Sequence, residues 1–272
     1  MVKKFFKGTY LGVLLLFLYA PIIVMIVLSF NASKTRAKWG GFTLDWYQKL
    51  FNTPAILDAL WLTLTVAVIA TAVATVLGTL AAIGIHAMKT KHQNAVINVS
   101  YLPMTTPDIV TGVSLMLMFV FVFGLVTKVG AAFGLRIVPS LGAGTMLLAH
   151  IAFDTPYVLF SVLPKLRQMN VNLYEAALDL GCTPGPAVRK VILPEIMPGV
   201  VTGALLSFTM SLDDFVISYF TSTSDQNLSM IIYSAARKGI EPSIYALSTL
   251  MFLAVLVLLI IINKRSSLEY VA

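Results

Sequence analysis

Six apolar stretches, each about as long as a bilayer is thick, dominate what this chain can fold into. They are Leu11–Phe30, Ala59–Ile85, Ile109–Thr127, Ile137–Leu163, Ile196–Thr221 and Ile244–Asn263. About 20 residues of helix cross the roughly 30 Å hydrocarbon core. The expected fold is therefore an all-α membrane protein with six transmembrane helices. Composition agrees: 58% of the 272 residues are hydrophobic, 11% are charged, and the mean hydropathy is +0.89. Those values exclude a soluble or disordered chain. The net charge is +7, but 19 Lys and Arg are too sparse to tile a phosphate backbone, so nucleic acid is not a partner. The single Cys182 excludes an internal disulfide and a cysteine metal cluster. The first stretch follows Lys3, Lys4 and Lys7 like a signal peptide, yet it is too long and lacks an A-x-A site. It reads as a retained anchor.

The second span carries Ala67, Ala70, Ala74, Gly78 and Ala81, small residues that let helices approach closely. Pro103 and Pro107 break the lead-in to the third span at Leu102–Pro107, and Asp154-Thr155-Pro156 is expected to interrupt the fourth. The fifth reads as one helix carrying Asp213 and Asp214. An even number of spans puts both termini on one side. With that side cytoplasmic, eleven Lys and Arg lie inside against eight outside, which favours cytoplasmic termini. His86 and His92 flank a short cytoplasmic loop and read as solvated. His150, inside a span, pairs with another helix or ligates a haem, the pairing being favoured. Three glycosylation sequons, at Asn31, Asn98 and Asn227, are short patterns with frequent chance matches.

Catalytic signatures are missing. There is no G-x-x-x-x-G-K-[ST] to cradle nucleotide phosphates, no G-x-S-x-G, no H-E-x-x-H and no C-x-x-C. A membrane enzyme is disfavoured, and no metal or cofactor site is expected in this chain.

The loop between the fourth and fifth spans, about 172–194, is the most specific signal. Asn172 reads as an N-cap with Glu175 closing a capping box. Leu173, Ala176, Ala177 and Leu180 form an apolar stripe, Gly181 stops the helix, and Thr183-Pro184 starts another. Pro194 and Pro198 are expected to break the chain before the fifth span. A cytoplasmic hairpin packed on its own bundle fits that pattern as well as a docking helix does.

The spacing Glu175-Ala176-Ala177, three residues, Gly181, nine residues, Val191, one residue, Leu193-Pro194 resembles the EAA loop of bacterial ABC-importer permeases. Val191 stands where that family usually has Ile. Trp46-Tyr-Gln-Lys-Leu-Phe51 and Ser211-Leu-Asp-Asp-Phe-Val-Ile-Ser218 resemble the spermidine/putrescine branch, and the likeness extends over nearly the whole chain. It implies a type I importer-permease fold with a cytoplasmic coupling helix. It also implies a heterodimer with a homologous permease, two copies of a cytoplasmic ATPase and an extracytoplasmic polyamine-binding protein. ATP and Mg would then sit on the ATPase, and the chain would lie in the bacterial inner membrane. The implied layout is an anchor helix and external loop at 1–58, a permease core at 59–264 and a cytoplasmic tail at 265–272.

Four acids fall within or at the ends of the spans: Asp108, Asp154, Asp213 and Asp214. An Asp at a helix centre costs roughly 2.5–3.5 kcal/mol on insertion scales, so such groups need water or a partner. A cationic cargo offsets that cost, helped by cation–π contacts from Phe153, Tyr157, Tyr219 and Phe220. Asp108 equally suits the first turn of the third span, where the helix dipole favours it. Adjacent Asp213 and Asp214 point about 100° apart on a helix, so one of them is expected to bond elsewhere. Other readings are a permease for ferric iron or thiamine, and a gated cation channel.

Overall fold

The computed structural model describes the backbone of residues 2–35, 37–136, 138–239 and 241–269, and excludes the side chains of 2–7, 171, 238 and 258–269. Ile137, the expected start of the fourth span, and Arg36 lie outside the described residues, as do tail residues 270–272. So do the side chains of Lys3, Lys4, Lys7, Lys238, Lys264, Arg265 and Glu269.

Helix α1 (Val2–Ser29) precedes the short α2 (Asp45–Phe51) and the long α3 (Pro54–His86). Next come α4 (Thr90–Thr105), α5 (Asp108–Ala132) and α6 (Ala143–Gln168). Then α7 (Val171–Asp179) and α8 (Pro184–Ala187) lead through a π-helical turn at Val188–Ile192 into α9 (Leu193–Asp213). The described part ends with α10 (Val216–Thr221), α11 (Leu228–Lys238) and α12 (Pro242–Glu269). Among the described residues, β structure amounts to one bridge between Asn31 and Phe42. Among the described residues, five segments are long and apolar enough to cross a bilayer: Gly8–Ser29, Pro54–His86, Asp108–Ala132, Ala143–Gln168 and Pro184–Asp213. The 28-residue α12 is apolar over its described side chains, Pro242–Val257.

The chain forms two compact units. One comprises Met1–Asp58 with Ile232–Ala272, the other Ala59–Ile231. In the first, α1 packs on α12 and α12 on α2. Its loop is folded around Asn31, whose Oδ1 accepts from Gly40 N (2.8 Å) and Ser33 N (3.1 Å) and whose Nδ2 donates to the Lys38 carbonyl (2.9 Å). Trp46 Nε1 donates to the Asn31 carbonyl (2.7 Å), anchoring α2 to the loop. With Asn31 and Asn227 both buried, only Asn98 among the sequons is exposed.

In the second unit α6 is the central helix, with Met146, Ala149, Val158, Leu159, Val162 and Leu166 buried. Lipid tails supply no hydrophobic drive between helices, so close packing has to hold them together. Glycines provide it. A Cβ at Gly78 on α3 would lie 2.7 Å from Val158 Cβ, and one at Gly203 on α9 would lie 2.9 Å from Val158 Cα. Val158 is thus gripped from both sides. Gly203→Val forces α6 and α9 apart at an expected cost of about 1–3 kcal/mol. A lower unfolding midpoint of the detergent-solubilised protein checks this; an unchanged midpoint contradicts it.

Four local expectations are corrected. First, α6 runs uninterrupted through Asp154-Thr155-Pro156. Pro156 has no N–H to give the Ala152 carbonyl, and the helix tolerates that single missing bond; Thr155 Oγ1 donates to the preceding carbonyl, that of Ile151 (2.6 Å). Second, the interruption lies in the fifth span, where α9 stops at Asp213 and α10 starts at Val216. Third, Pro194 and Pro198 do not break the chain before that span, because α9 continues through both. The wider turn at Val188–Ile192, closed by Leu193 N–H to the Val188 carbonyl, precedes Pro194 and makes room for its ring. Fourth, α7 is capped by Asn170, whose Oδ1 accepts from Asn172 N (3.1 Å). Asn172 is therefore inside the first turn, and the Asn172–Glu175 capping box does not form. Helix α4 does end at Thr105 before Pro107, as the lead-in predicted, although Pro103 is accommodated inside it.

Candidate functional site

The break in the fifth span organises the intramembrane acids. Asp214 leaves helical geometry (ψ 123°) and turns its carboxylate onto the next helix. Oδ1 accepts from Ile217 N (3.1 Å), and Oδ2 accepts from Ser218 N (2.7 Å) and Ser218 Oγ (2.8 Å). These are the otherwise unpaired donors of a helix start, so Asp214 caps α10. Asn227 Nδ2 donates to the Asp214 carbonyl (2.9 Å), closing the other side of the turn. His150 on α6 reaches the same place, with Nε2 3.4 Å from Asp214 Oδ2. It pairs with another helix, as favoured above; among the described residues no group of three or more His, Cys, Asp or Glu is placed to hold a metal.

The adjacent Asp213 does the opposite. It is exposed, while the Asp214 side chain is 8% exposed. Asp108, in the first turn of α5, is also exposed and lies within electrostatic range of both Asp213 and the half-buried Tyr157 on α6. Helices α5 and α10 are in direct contact. Phe220 packs against Gly112 of α5, a Cβ there falling 3.0 Å from its ring, and stands edge-on to the exposed Tyr219 (5.5 Å between centroids). Asp108 is thus the common neighbour of Asp213 and Tyr157, and Phe220 packs one turn along α5 from it.

Phe153 and Asp154 are buried on the same helix as Tyr157. Phe153 packs with Phe119, Ala149 and Ile217 and meets the Tyr157 ring edge-on (5.2 Å). Asp154 is 0% exposed, and neither carboxylate oxygen has a hydrogen-bond partner. Ser207 stands beside it but donates to Thr71 Oγ1 (3.4 Å). The roles of Ser211, Ser218 and Asn227 were not picked out from the sequence. The available signal was the order Asp214, Ile217, Ser218, which is that of a capping acid followed by the donors it accepts from.

The second site is the α7 loop. Gly181 adopts φ +84°, and Gly181 N donates to the Leu178 carbonyl (2.9 Å) while Cys182 N donates to that of Ala177 (3.0 Å). That pair of bonds is the Schellman stop, which a left-handed glycine permits. Tyr174 turns back onto the core, whereas Leu173, Glu175 and Ala176 are exposed and Leu180 is 89% exposed. Val191 and Leu193 are half-buried and Pro194 is exposed, at the join to α9. His92 is exposed as expected, but His86 is half-buried with Nδ1 unpartnered.

Known proteins share both sequence and fold. The model of the binding-protein-dependent transport system inner membrane component family matches residues 74–264. The spermidine/putrescine transport system permease protein PotC of Haemophilus influenzae is 36% identical over 271 residues, covering 98% of this chain and 100% of the relative. PotC of Escherichia coli K12 is 35% identical over 96% of this chain and 93% of the relative. The putrescine permease PotI of E. coli K12 is 38% identical over 88% of this chain and 83% of the relative. Among solved structures, a bacterial ABC transporter for alginate import superposes with a TM-score of 0.69 at 19% identity, covering 96% of this chain and 92% of that one. The same kind of transporter bound to its periplasmic protein gives 0.70 at 20% identity, over 96% and 91%. The helical, multi-span fold and this match agree: the chain belongs to the inner-membrane permease components of binding-protein-dependent transport systems.

Proposed function

We propose that this chain is a permease subunit of an ATP-driven importer that carries polyamines, spermidine and putrescine, into the cytoplasm by alternating access. The observation that carries the reading is the 36% identity to a spermidine/putrescine permease along that relative's whole length. Paired exposed carboxylates, Asp108 and Asp213, support it, because they suit a polycation and repel an anion. Tyr157 lies within electrostatic range of Asp108, and Phe220 packs on α5 at Gly112 with Tyr219 beside it, so aromatic faces are at hand for ammonium groups. Both termini face the cytoplasm in this reading. The chain itself does no catalysis: two copies of a partner ATPase hold ATP and Mg, a homologous permease completes the path, and an extracytoplasmic binding protein delivers cargo. Restoring this chain to cells that lack it, and measuring labelled spermidine uptake, tests the function. No gain in uptake overturns it.

The α7 loop is the contact for the ATPase. Its exposed stripe of Leu173, Ala176 and Leu180 is apolar and small at the centre, which permits a close approach. Glu175 and Ala177 belong to that helix, and Gly181, Val191, Leu193 and Pro194 fix where it ends and how it joins α9. Gly181→Leu places a side chain at a positive φ, at a cost of about 1–2 kcal/mol, and shifts the helix end. ATP hydrolysis in reconstituted vesicles is then expected to persist while spermidine uptake falls about tenfold or more; unchanged coupling contradicts the role.

A further inference from the structure

The His150 ring bridges the break in the fifth span. Nδ1 lies 2.6 Å from Ser211 Oγ in the last turn of α9, and Nε2 lies 2.9 Å from Ser218 Oγ in α10. Ser218 spends its one hydroxyl proton on Asp214 Oδ2 and also accepts from Asn227 Nδ2 (2.8 Å). A further polar neighbour at that oxygen has to be a donor, so Nε2 carries a proton. The His150 side chain is 2% exposed, and it joins both halves of the span. The turn it clamps separates two adjacent carboxylates, one directed inwards and one outwards.

The geometry points to His150 as a positioning residue for the transport path. By holding Ser211, Ser218 and Asp214 across the break, it fixes the angle at which α9 ends and keeps Asp213 on the surface shared with Asp108 and Tyr157. Asp214 is then the other jaw of the clamp and does not meet cargo. This assignment of Asp213 to a cation path rests on the polyamine reading; the clamp itself does not.

Thiol labelling separates the two. Asp213→Cys is introduced into a Cys182→Ser chain within the complete transporter, and membranes are treated with an impermeant maleimide. His150→Leu is expected to slow labelling about fivefold or more, and His150→Gln, whose amide donor reaches towards Ser218, to restore it to within about twofold. Equal rates with and without His150→Leu overturn the inference. The amount of assembled transporter is measured alongside. Where the leucine variant does not assemble, His150→Asn, too short to span the break, replaces it under the same criterion. In uptake, His150→Leu added to Asp213→Asn is expected to lower the spermidine rate by no more than about twofold further; a full multiplicative loss also overturns the inference. Absent wild-type spermidine uptake with His150-dependent labelling sinks the polyamine reading and leaves the clamp standing.

Discussion

Asp213→Asn is expected to lower spermidine uptake per assembled transporter by about tenfold to a hundredfold, and Asp108→Asn to do nearly the same. At about 4 Å and an effective dielectric near 20, a carboxylate and an ammonium gain on the order of 4 kcal/mol. Desolvation of the cargo cancels part of that, and every 1.4 kcal/mol that survives is about a factor of ten. Asparagine keeps the shape of the side chain. Both positions are exposed, so neither change strands a buried partner. The loss should therefore appear in initial uptake rates of labelled spermidine and leave the quantity of assembled transporter intact. Wild-type rates in both variants contradict the placement of the cation path.

Asp214→Leu has a different consequence, the loss of the fold around the break. It removes the acceptor for Ile217 N, Ser218 N and Ser218 Oγ and takes away the carboxylate beside His150. Leaving several buried donors unpaired costs about 3–5 kcal/mol. The expected result is a strongly reduced amount of assembled transporter and a clearly lowered unfolding midpoint. Asp214→Asn retains an oxygen that caps α10 and is expected to lose about 1–2 kcal/mol. A leucine variant as stable as wild type contradicts the assignment of Asp214 as a cap. Two neighbouring aspartates thus respond to substitution in opposite assays, Asp213 in transport and Asp214 in assembly.

The spans were legible because lipid admits few solutions: long apolar runs such as Ala59–Ile85 have to be helical. The stop at Gly181 was legible for a similar reason, since glycine suits the left-handed geometry found there. The prolines misled. Pro156 promised a broken fourth span, but α6 continues through it with one backbone bond missing, while the true break has no proline at all. It coincides with a carboxylate at 214 that accepts from the donors at 217 and 218, held by Asn227 from just downstream and by His150 from a distant part of the chain. Such long-range pairing has no periodicity to read. The loop cap shifted by two residues, from Asn172 to Asn170, because both asparagines are competent and the backbone conformation chooses between them. The four span acids were identified together, but their division into exposed Asp108 and Asp213, buried Asp154, and half-buried Asp214 with its carboxylate turned inwards required the packing.

The most direct test of the central claim is ATP-dependent spermidine accumulation in proteoliposomes containing this chain, its partner permease and the ATPase, with binding protein supplied on the external face. The account predicts that labelled spermidine accumulates only with ATP and that Asp213→Asn suppresses accumulation in fully assembled transporter. Accumulation that is independent of ATP, or equal with and without Asp213→Asn, would contradict it.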